Sequence, residues 1–197
     1  MFAMESVIGA MRQRGALRTG EILSMGIHAE QLRRWVAQGH VSRVSRGLYF
    51  LPGEDMGENR SLIEVCTAIP RAVACLFTAL RFHRLTTQNP SEVWIALPKG
   101  QRTPHREDVQ LRVVHLAEPA YTLEQERHEL PGGTIRVYSL ERTLVDCFRF
   151  RNTVGVDVFL EATRQAIRER RVSMEHVYEL AVRYRVGNAI RPYLEAM

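Results

Sequence analysis

The chain has 197 residues, of which 45% are hydrophobic and 25% charged, and its formal net charge is +5. This composition is typical of a globular protein and excludes extended disorder, while the length favours two unequal domains. No apolar run approaches the roughly 18 residues of a membrane span, and no basic and then apolar leader opens the sequence, so we expect a cytoplasmic protein with no membrane partner. We expect Cys66, Cys75 and Cys147, which lie far apart in apolar segments, to be buried, reduced thiols.

The positive charge is concentrated in the first quarter of the chain. Residues 1–52 carry seven arginines and three acidic residues, whereas the rest of the chain holds twenty basic and nineteen acidic side chains. Arginine suits phosphate because its planar fork donates two parallel hydrogen bonds to an oxyanion. The distribution therefore favours an anionic partner for the N-terminal segment.

Three helices are predicted before residue 40. The first has apolar residues at i, i+3, i+4 and i+7 and ends at Gly15. The second is short, with Thr19 as its predicted N-cap because a threonine hydroxyl accepts from a free backbone N–H. The third covers about 29–38 and ends at Gly39, with apolar side chains on one side and polar side chains on the other.

The polar side of the third helix is typical of a helix that enters the major groove of DNA. Arginine binds guanine O6 and N7 together, and glutamine binds adenine N6 and N7. The predicted base-reading residues are Gln31, Arg33, Arg34 and Gln38. A solvated helix face with ordinary arginines is the alternative interpretation.

A β-hairpin is predicted at 41–50, because Gly47 supplies the positive φ that a tight turn needs. Ser45 and Arg46 would lie at its tip, and Arg43 and Arg46 over phosphates or a minor groove. An exposed tip tolerates arginine without any ligand. The order of three helices and a hairpin is nevertheless that of a winged helix–turn–helix, and together with the local charge it favours DNA binding.

A linker is predicted at 53–60 and a second domain at 61–197. Helices are expected near 61–69 and 73–83, strands at 92–97, 109–116 and 134–138, and helices near 140–151, 156–170, 173–185 and 189–196. The predicted class is therefore α+β: a winged helix–turn–helix at 1–52, then a mixed α/β domain with a small sheet and helical flanks.

Two sets of charged side chains in the second domain have structural and functional interpretations. Arg142 and Asp146, spaced i, i+4, are expected to form a structural pair. Arg164, Arg168 and Arg171 form a basic strip on a predicted helix. This strip is either a solvated face or a contact for DNA flanks or an acidic partner.

The sequence lacks the motifs of nucleotide-binding proteins, serine hydrolases and zinc proteases. Glu92, Glu107 and Asp108 are carboxylates near predicted strands, and they leave a metal-dependent nuclease as an alternative. Lys99, the only lysine, lies off the pattern that such a site needs. We predict no catalytic residues, no cofactor and no metal site.

The chain resembles the AbiEi antitoxins of bacterial type IV toxin–antitoxin (abortive-infection) systems. The resemblance rests on five segments in order, 41–49, 79–86, 90–98, 139–148 with 151–152, and 191–195. It implies an N-terminal winged helix that represses its own operon at inverted repeats, and a C-terminal domain that counters a toxin resembling a nucleotidyltransferase. His28 departs from the pattern, since serine or threonine would cap the third helix better.

Thr19 and His28, at the starts of the second and third helices, are also among the predicted DNA-binding residues. The resemblance implies double-stranded DNA and a nucleotidyltransferase toxin as partners. Two alternatives stay open. In the first, the protein is an antitoxin that caps the toxin directly and DNA binding is secondary. In the second, it is a nuclease that the winged helix directs to DNA.

Overall fold

A computed structural model describes residues 2–45, 47–53, 59–88, 91–103, 109–130 and 133–197. The chain forms two compact units, one of Met1–Pro70 with Arg127–Ile135 and one of Arg71–Glu126 with Arg136–Met197. The domain division at 53–60 stays a prediction; the compact units group 60–70 and 127–135 with the N-terminal elements. Among the described residues, no helix is both long enough and apolar enough to span a bilayer.

The first unit consists of short helices and a small sheet. Its elements are α1 (Phe2–Arg14), β1 (Ala16–Arg18), α2 (Thr19–Ser24), α3 (Ala29–Ala37), β2 (Ser42–Ser45), β3 (Leu48–Phe50) and α4 (Arg60–Ala68). The sheet has the order β1-β3-β2, and both pairings are antiparallel. The three predicted helices and the hairpin are confirmed, whereas β1 was not predicted because three residues are too few for a visible alternation of side chains.

One apolar cluster holds the first three helices to this sheet. Val7 and Met11 of α1 contribute its fully buried side chains, together with Ile22 of α2, and Leu32 and Trp35 of α3 close it from the other side. Removing such side chains from water is the main stabilising contribution in a unit of this size. The cluster therefore fixes which face of α3 is left outside.

The remaining elements begin after Pro70. They are β4 (Val73–Ala74), α5 (Leu76–Phe82), β5 (Glu92–Pro98), β6 (Gln110–Leu116), β7 (Gln125–Leu130), β8 (Gly133–Tyr138), α6 (Leu140–Arg149), α7 (Arg151–Val154), α8 (Val156–Arg168), α9 (Met174–Arg183) and α10 (Gly187–Glu195). The five strands are ordered β6-β5-β4-β8-β7. Strand β5 is parallel to β6 and antiparallel to β4, and β4 is parallel to β8. This arrangement confirms a mixed sheet flanked by helices.

Two helices predicted after Pro70 are wrong in detail, and two strands, β4 and β7, were not predicted. The helix predicted at 73–83 begins only at Leu76, because Val73 and Ala74 pair with Ala96 and Ile95 as a short buried strand. The helix predicted at 140–151 is divided into α6 and α7 near Phe150, which is the C-cap of α6 and the N-cap of α7. Strand β7 was missed altogether, because its residues are mostly polar and at most half-buried.

Cys66, Cys75 and Cys147 are buried and form no disulfide, as predicted. Desolvation raises the pKa of the Cys75 thiol, and the charge of Asp146 raises it further. The pKa of the Cys147 thiol is raised by the same two causes. Both thiols are therefore protonated at neutral pH and unreactive as nucleophiles.

Candidate nucleic-acid interface

Helix α3 has one buried side and one exposed side. Leu32 and Trp35 are only 2% and 6% exposed and anchor the helix in the apolar cluster. Three of the predicted base-reading residues, Arg33, Arg34 and Gln38, are exposed, and Gln31 is half-buried at the edge. The amphipathic pattern predicted from the sequence is thus present in the fold.

The start of α3 is held by its backbone alone. His28 is the N-cap in extended backbone conformation, and its side chain is exposed and makes no capping hydrogen bond. Its carbonyl oxygen accepts from the Leu32 N–H at 3.0 Å, the first bond of the helix. The helix therefore begins at Ala29, as predicted. The exposed side chain of His28 lies directly before the exposed first turn of the helix.

The end of α3 is a Schellman turn. The His40 N–H donates to the Trp35 carbonyl at 3.0 Å, and the Gly39 N–H donates to the Val36 carbonyl at 3.1 Å. Gly39 takes a φ of 75° to make this turn, a conformation that costs glycine little. The turn satisfies carbonyls at the end of the helix and leads the chain into β2.

Thr19 does not cap α2, contrary to the prediction. It is the first helical residue, and the N-cap is Arg18, whose N–H donates to the Glu21 carboxylate at 2.7 Å. The Glu21 carboxylate, in the first turn of the helix, is also stabilised there by the helix dipole. Thr19 instead donates its backbone N–H to the Gly47 carbonyl at 2.9 Å and so ties α2 to the β2–β3 turn.

The β2–β3 hairpin carries an exposed arginine, Arg43, on β2. The backbone of Arg43 lies opposite Tyr49 of β3. Gly47 has a φ of 87°, which confirms the positive φ predicted for the turn. Arg46 and the Ser45 side chain lie outside the described residues, so their predicted position at the tip stays a prediction.

The exposed charges near α3 differ in their pairing. Arg33 Nη1 lies 3.4 Å from Glu30 Oε2, and both side chains are more than 70% exposed. Arg14 pairs with Glu21 at 3.3 Å. Within the described part of the chain, no acidic residue pairs with Arg34, so its guanidinium is available to an external anion.

The predicted basic strip lies in the other compact unit. Arg164 and Arg168 are exposed on α8 and have no ion-pair partner among the described residues. Arg171, just beyond α8, pairs with Glu169 at 2.9 Å. The strip thus carries two unpaired cations and one that is neutralised in part.

The carboxylates weighed for a nuclease do not assemble in the part of the chain that the structure describes. Glu92 is paired with Arg112 at 2.8 Å, and Glu107 and Asp108 lie outside the described residues. Among the described residues, no group of three or more histidine, cysteine or acidic side chains is arranged to hold a metal ion. The described residues therefore give the nuclease alternative no support.

One charged residue of the exposed side of α3 was left out of the predicted base-reading residues. Glu30 projects from the exposed side of α3 beside Arg33, yet only residues that bind DNA through cations or amides were singled out. The signal was its position on the helical wheel, which places it on the outward side of α3.

Residues 10–52 match a family model described as a transcriptional regulator, the AbiEi antitoxin. The matched segment runs from the second half of α1 through β3 and so contains α3 and the hairpin. It confirms the resemblance for the N-terminal part of the chain. No curated protein matches the chain.

Proposed function

We propose, from the premise that residues 10–52 match AbiEi antitoxin regulators, that the N-terminal elements form a winged helix–turn–helix that binds double-stranded DNA. In this proposal α3 enters the major groove and the β2–β3 hairpin is the wing. The observation that carries it is the exposed side of α3, where Arg33, Arg34 and Gln38 face solvent while Leu32 and Trp35 anchor the opposite side.

The wing and helix α2 have supporting roles in this proposal. The bond from Thr19 to Gly47 holds the turn of the hairpin at the start of α2, so Arg43, Ser45 and Arg46 would contact the DNA backbone on one side of α3. Thr19 and His28, at the starts of α2 and α3, would contact the flanking phosphates. Phosphate contacts would position the module, and the side chains of α3 would provide specificity.

The DNA in question is the set of inverted repeats upstream of the protein's own operon, so binding there would repress the operon. The C-terminal elements would counteract a nucleotidyltransferase toxin encoded beside this gene. This part of the proposal draws on the resemblance of segments 79–86, 90–98, 139–148 and 191–195. We assign the protein no catalytic activity of its own.

The DNA-binding proposal is tested by electrophoretic mobility shift with the DNA upstream of the gene. The Arg34→Ala variant should weaken binding by about 1–3 kcal/mol and relax specificity if Arg34 binds a base bidentately. Arg46→Ala should mainly reduce the dependence of affinity on salt, as expected for one lost phosphate contact. Arg12→Ala, which removes an exposed arginine from α1, is the matched control and should change little.

Failure of the wild-type protein to prefer upstream DNA over unrelated DNA would overturn the proposal. Unchanged affinity in both the Arg34 and Arg46 variants would remove these residues from the interface. Co-expression with the neighbouring toxin gene tests the antitoxin role separately, and continued growth arrest would contradict it. Co-purification of the two proteins would instead favour direct capping of the toxin.

The strip of Arg164, Arg168 and Arg171 is proposed as a second contact with the flanks of the operator. Two unpaired, exposed cations on α8 support this assignment. Replacing all three by glutamine should lower the slope of log affinity against log salt by about two units, one for each unpaired cation. An unchanged slope would mean that the strip is only a solvated face.

A further inference from the structure

Glu30 lies at the middle of the exposed side of α3. At about 100° per residue, the direction opposite to the buried pair Leu32 and Trp35 passes within roughly 10° of Glu30 and of Ala37. Arg33 and Arg34 lie to either side of that direction, each about 50° away from it. The most outward charged side chain of the helix is therefore an acid between two arginines.

The pairing of these arginines is unequal. Glu30 Oε2 is 3.4 Å from Arg33 Nη1, whereas no acidic residue of the described chain pairs with Arg34. Glu30 is also 74% exposed in its side chain, so it can turn toward a ligand without losing packing. The face thus combines one free cation, one cation held by a carboxylate, and one carboxylate with lone pairs to spare.

A carboxylate at this position is costly on any duplex that offers it no donor. The phosphates of DNA repel it, and guanine O6 and N7 and thymine O4 are acceptors as well. In the major groove cytosine offers the N4 amino group, a donor with no acceptor of its own beside it. Adenine places its N6 donor next to the N7 acceptor, an edge that suits an amide better than a carboxylate.

We propose that Glu30 is a specificity-determining residue whose carboxylate accepts a hydrogen bond from the N4 amino group of a cytosine in each operator half-site. Arg33, held beside it, binds guanine O6 and N7 in the same or the adjacent base pair. The inference rests on the proposed function, since it requires α3 in the major groove. Within that function, Glu30 lowers affinity for all duplexes and lowers it least where a cytosine is present.

The test is the selection of binding sites from randomised duplexes by the full-length protein, followed by affinity measurements on the selected sites. For the wild type we expect one position in each half-site to be cytosine. For Glu30→Gln we expect that position to lose its cytosine preference by about tenfold and to gain adenine, because glutamine binds adenine N6 and N7. Affinity for unrelated duplexes should rise at the same time, since a negative charge has been removed.

Glu5→Gln is the matched control, because it makes the same charge change at an exposed position of α1. It should leave the selected motif unchanged. Arg33→Ala distinguishes reading from positioning: if Glu30 acts only by holding Arg33, the two variants relax the same position and Glu30→Gln gains no adenine preference. That result, or an unchanged motif in Glu30→Gln, overturns the inference. A wild-type protein that selects no motif overturns the proposed function instead.

Discussion

Asp146 Oδ2 accepts a hydrogen bond from Arg142 Nε at 2.7 Å, and both side chains are almost completely closed off from solvent. The other carboxylate oxygen accepts from Arg149 Nη1 at 2.6 Å. The Arg142 guanidinium also donates to the carbonyls of Ala120 and Leu123. The i, i+4 pair predicted from the sequence is therefore the centre of a buried network that joins α6 to the chain before β7.

Asp146→Ala should destabilise the second unit by about 3–5 kcal/mol, because it leaves the Arg142 charge buried without its counter-ion. The measurement is chemical denaturation followed by Trp94 fluorescence in a Trp35→Phe background, where Trp94 is the only tryptophan. The double change Arg142→Met with Asp146→Leu should cost clearly less than Asp146→Ala alone. A loss below about 1 kcal/mol in Asp146→Ala would contradict a charge-pairing role.

Two glycine-to-alanine changes in the first unit should have opposite effects. Gly39→Ala should lower the free energy of unfolding by about 1 kcal/mol or more, because the turn after α3 requires a φ of 75°. Gly9→Ala should raise it by about 0.5–1 kcal/mol, since Gly9 lies within α1 and an added Cβ meets no atom within 4 Å. Denaturation followed by Trp35 fluorescence in a Trp94→Phe background measures both. Equal effects would contradict the backbone explanation.

The end of α9 offers a stabilising change. Arg185 has a φ of 59° at the position where glycine is favoured, and the Val186 N–H donates to the Ala181 carbonyl in the same kind of turn as at Gly39. Arg185→Gly should therefore stabilise the second unit by about 0.5 kcal/mol after the greater freedom of the unfolded chain is counted. Arg183→Gly, inside the last turn of α9, should destabilise it by about 1 kcal/mol. The measurement is the Tm of each variant in thermal unfolding. Arg185→Gly should raise the Tm and Arg183→Gly should lower it, and a lower Tm in Arg185→Gly would contradict the prediction.

His176 should make the stability of the second unit depend on pH. Burial by itself lowers the pKa of His176, but hydrogen bonds to Glu179 and Glu124, with the charges of Glu124 and Glu141, outweigh it and raise the pKa above the usual 6.5. The folded pKa is thus the higher one, so the contribution is complete below about pH 6.5 and is lost as the pH rises through the folded value.

The comparison that checks this prediction is unfolding followed by Trp94 fluorescence in a Trp35→Phe background, with His176 retained and with His176→Gln, from below pH 6.5 to above the folded pKa. The protein that retains His176 should lose stability with rising pH, and His176→Gln should show a flatter profile. His40→Gln, an exposed histidine of the first unit, should keep the wild-type slope. A wild-type slope in His176→Gln would show that another group titrates.

Sequence patterns predicted the elements whose burial is periodic. Helix α3 was predicted to within a residue at its N-terminus because Leu32 and Trp35 recur at helical spacing and Gly39 ends the pattern. Strand β4 was missed because two residues, Val73 and Ala74, carry no period and gain their strand geometry from pairing with β5. Local preference was overridden there by a partner that is distant in sequence.

The arginines of the candidate site could be predicted from the sequence, but the backbone contacts that position them could not. Arg33 and Arg34 follow from the helical wheel alone. The bond between Thr19 and Gly47 joins residues 28 positions apart, and no sequence pattern indicates it. The helical wheel also places Glu30 on the outward side, but an acid lowers affinity for DNA in general and contributes only to specificity.

The return of residues 127–135 to the first unit has a practical consequence for dissecting this protein. Gly133 lies close to Ile63 and Thr67 of α4, so a fragment that ends at Pro70 would lack residues 127–135, which belong to the same unit. The chain passes from one unit to the other three times, so cutting it at a single position cannot separate the two units intact. Swapping the N-terminal part between relatives would therefore require transplanting residues 127–135 along with it.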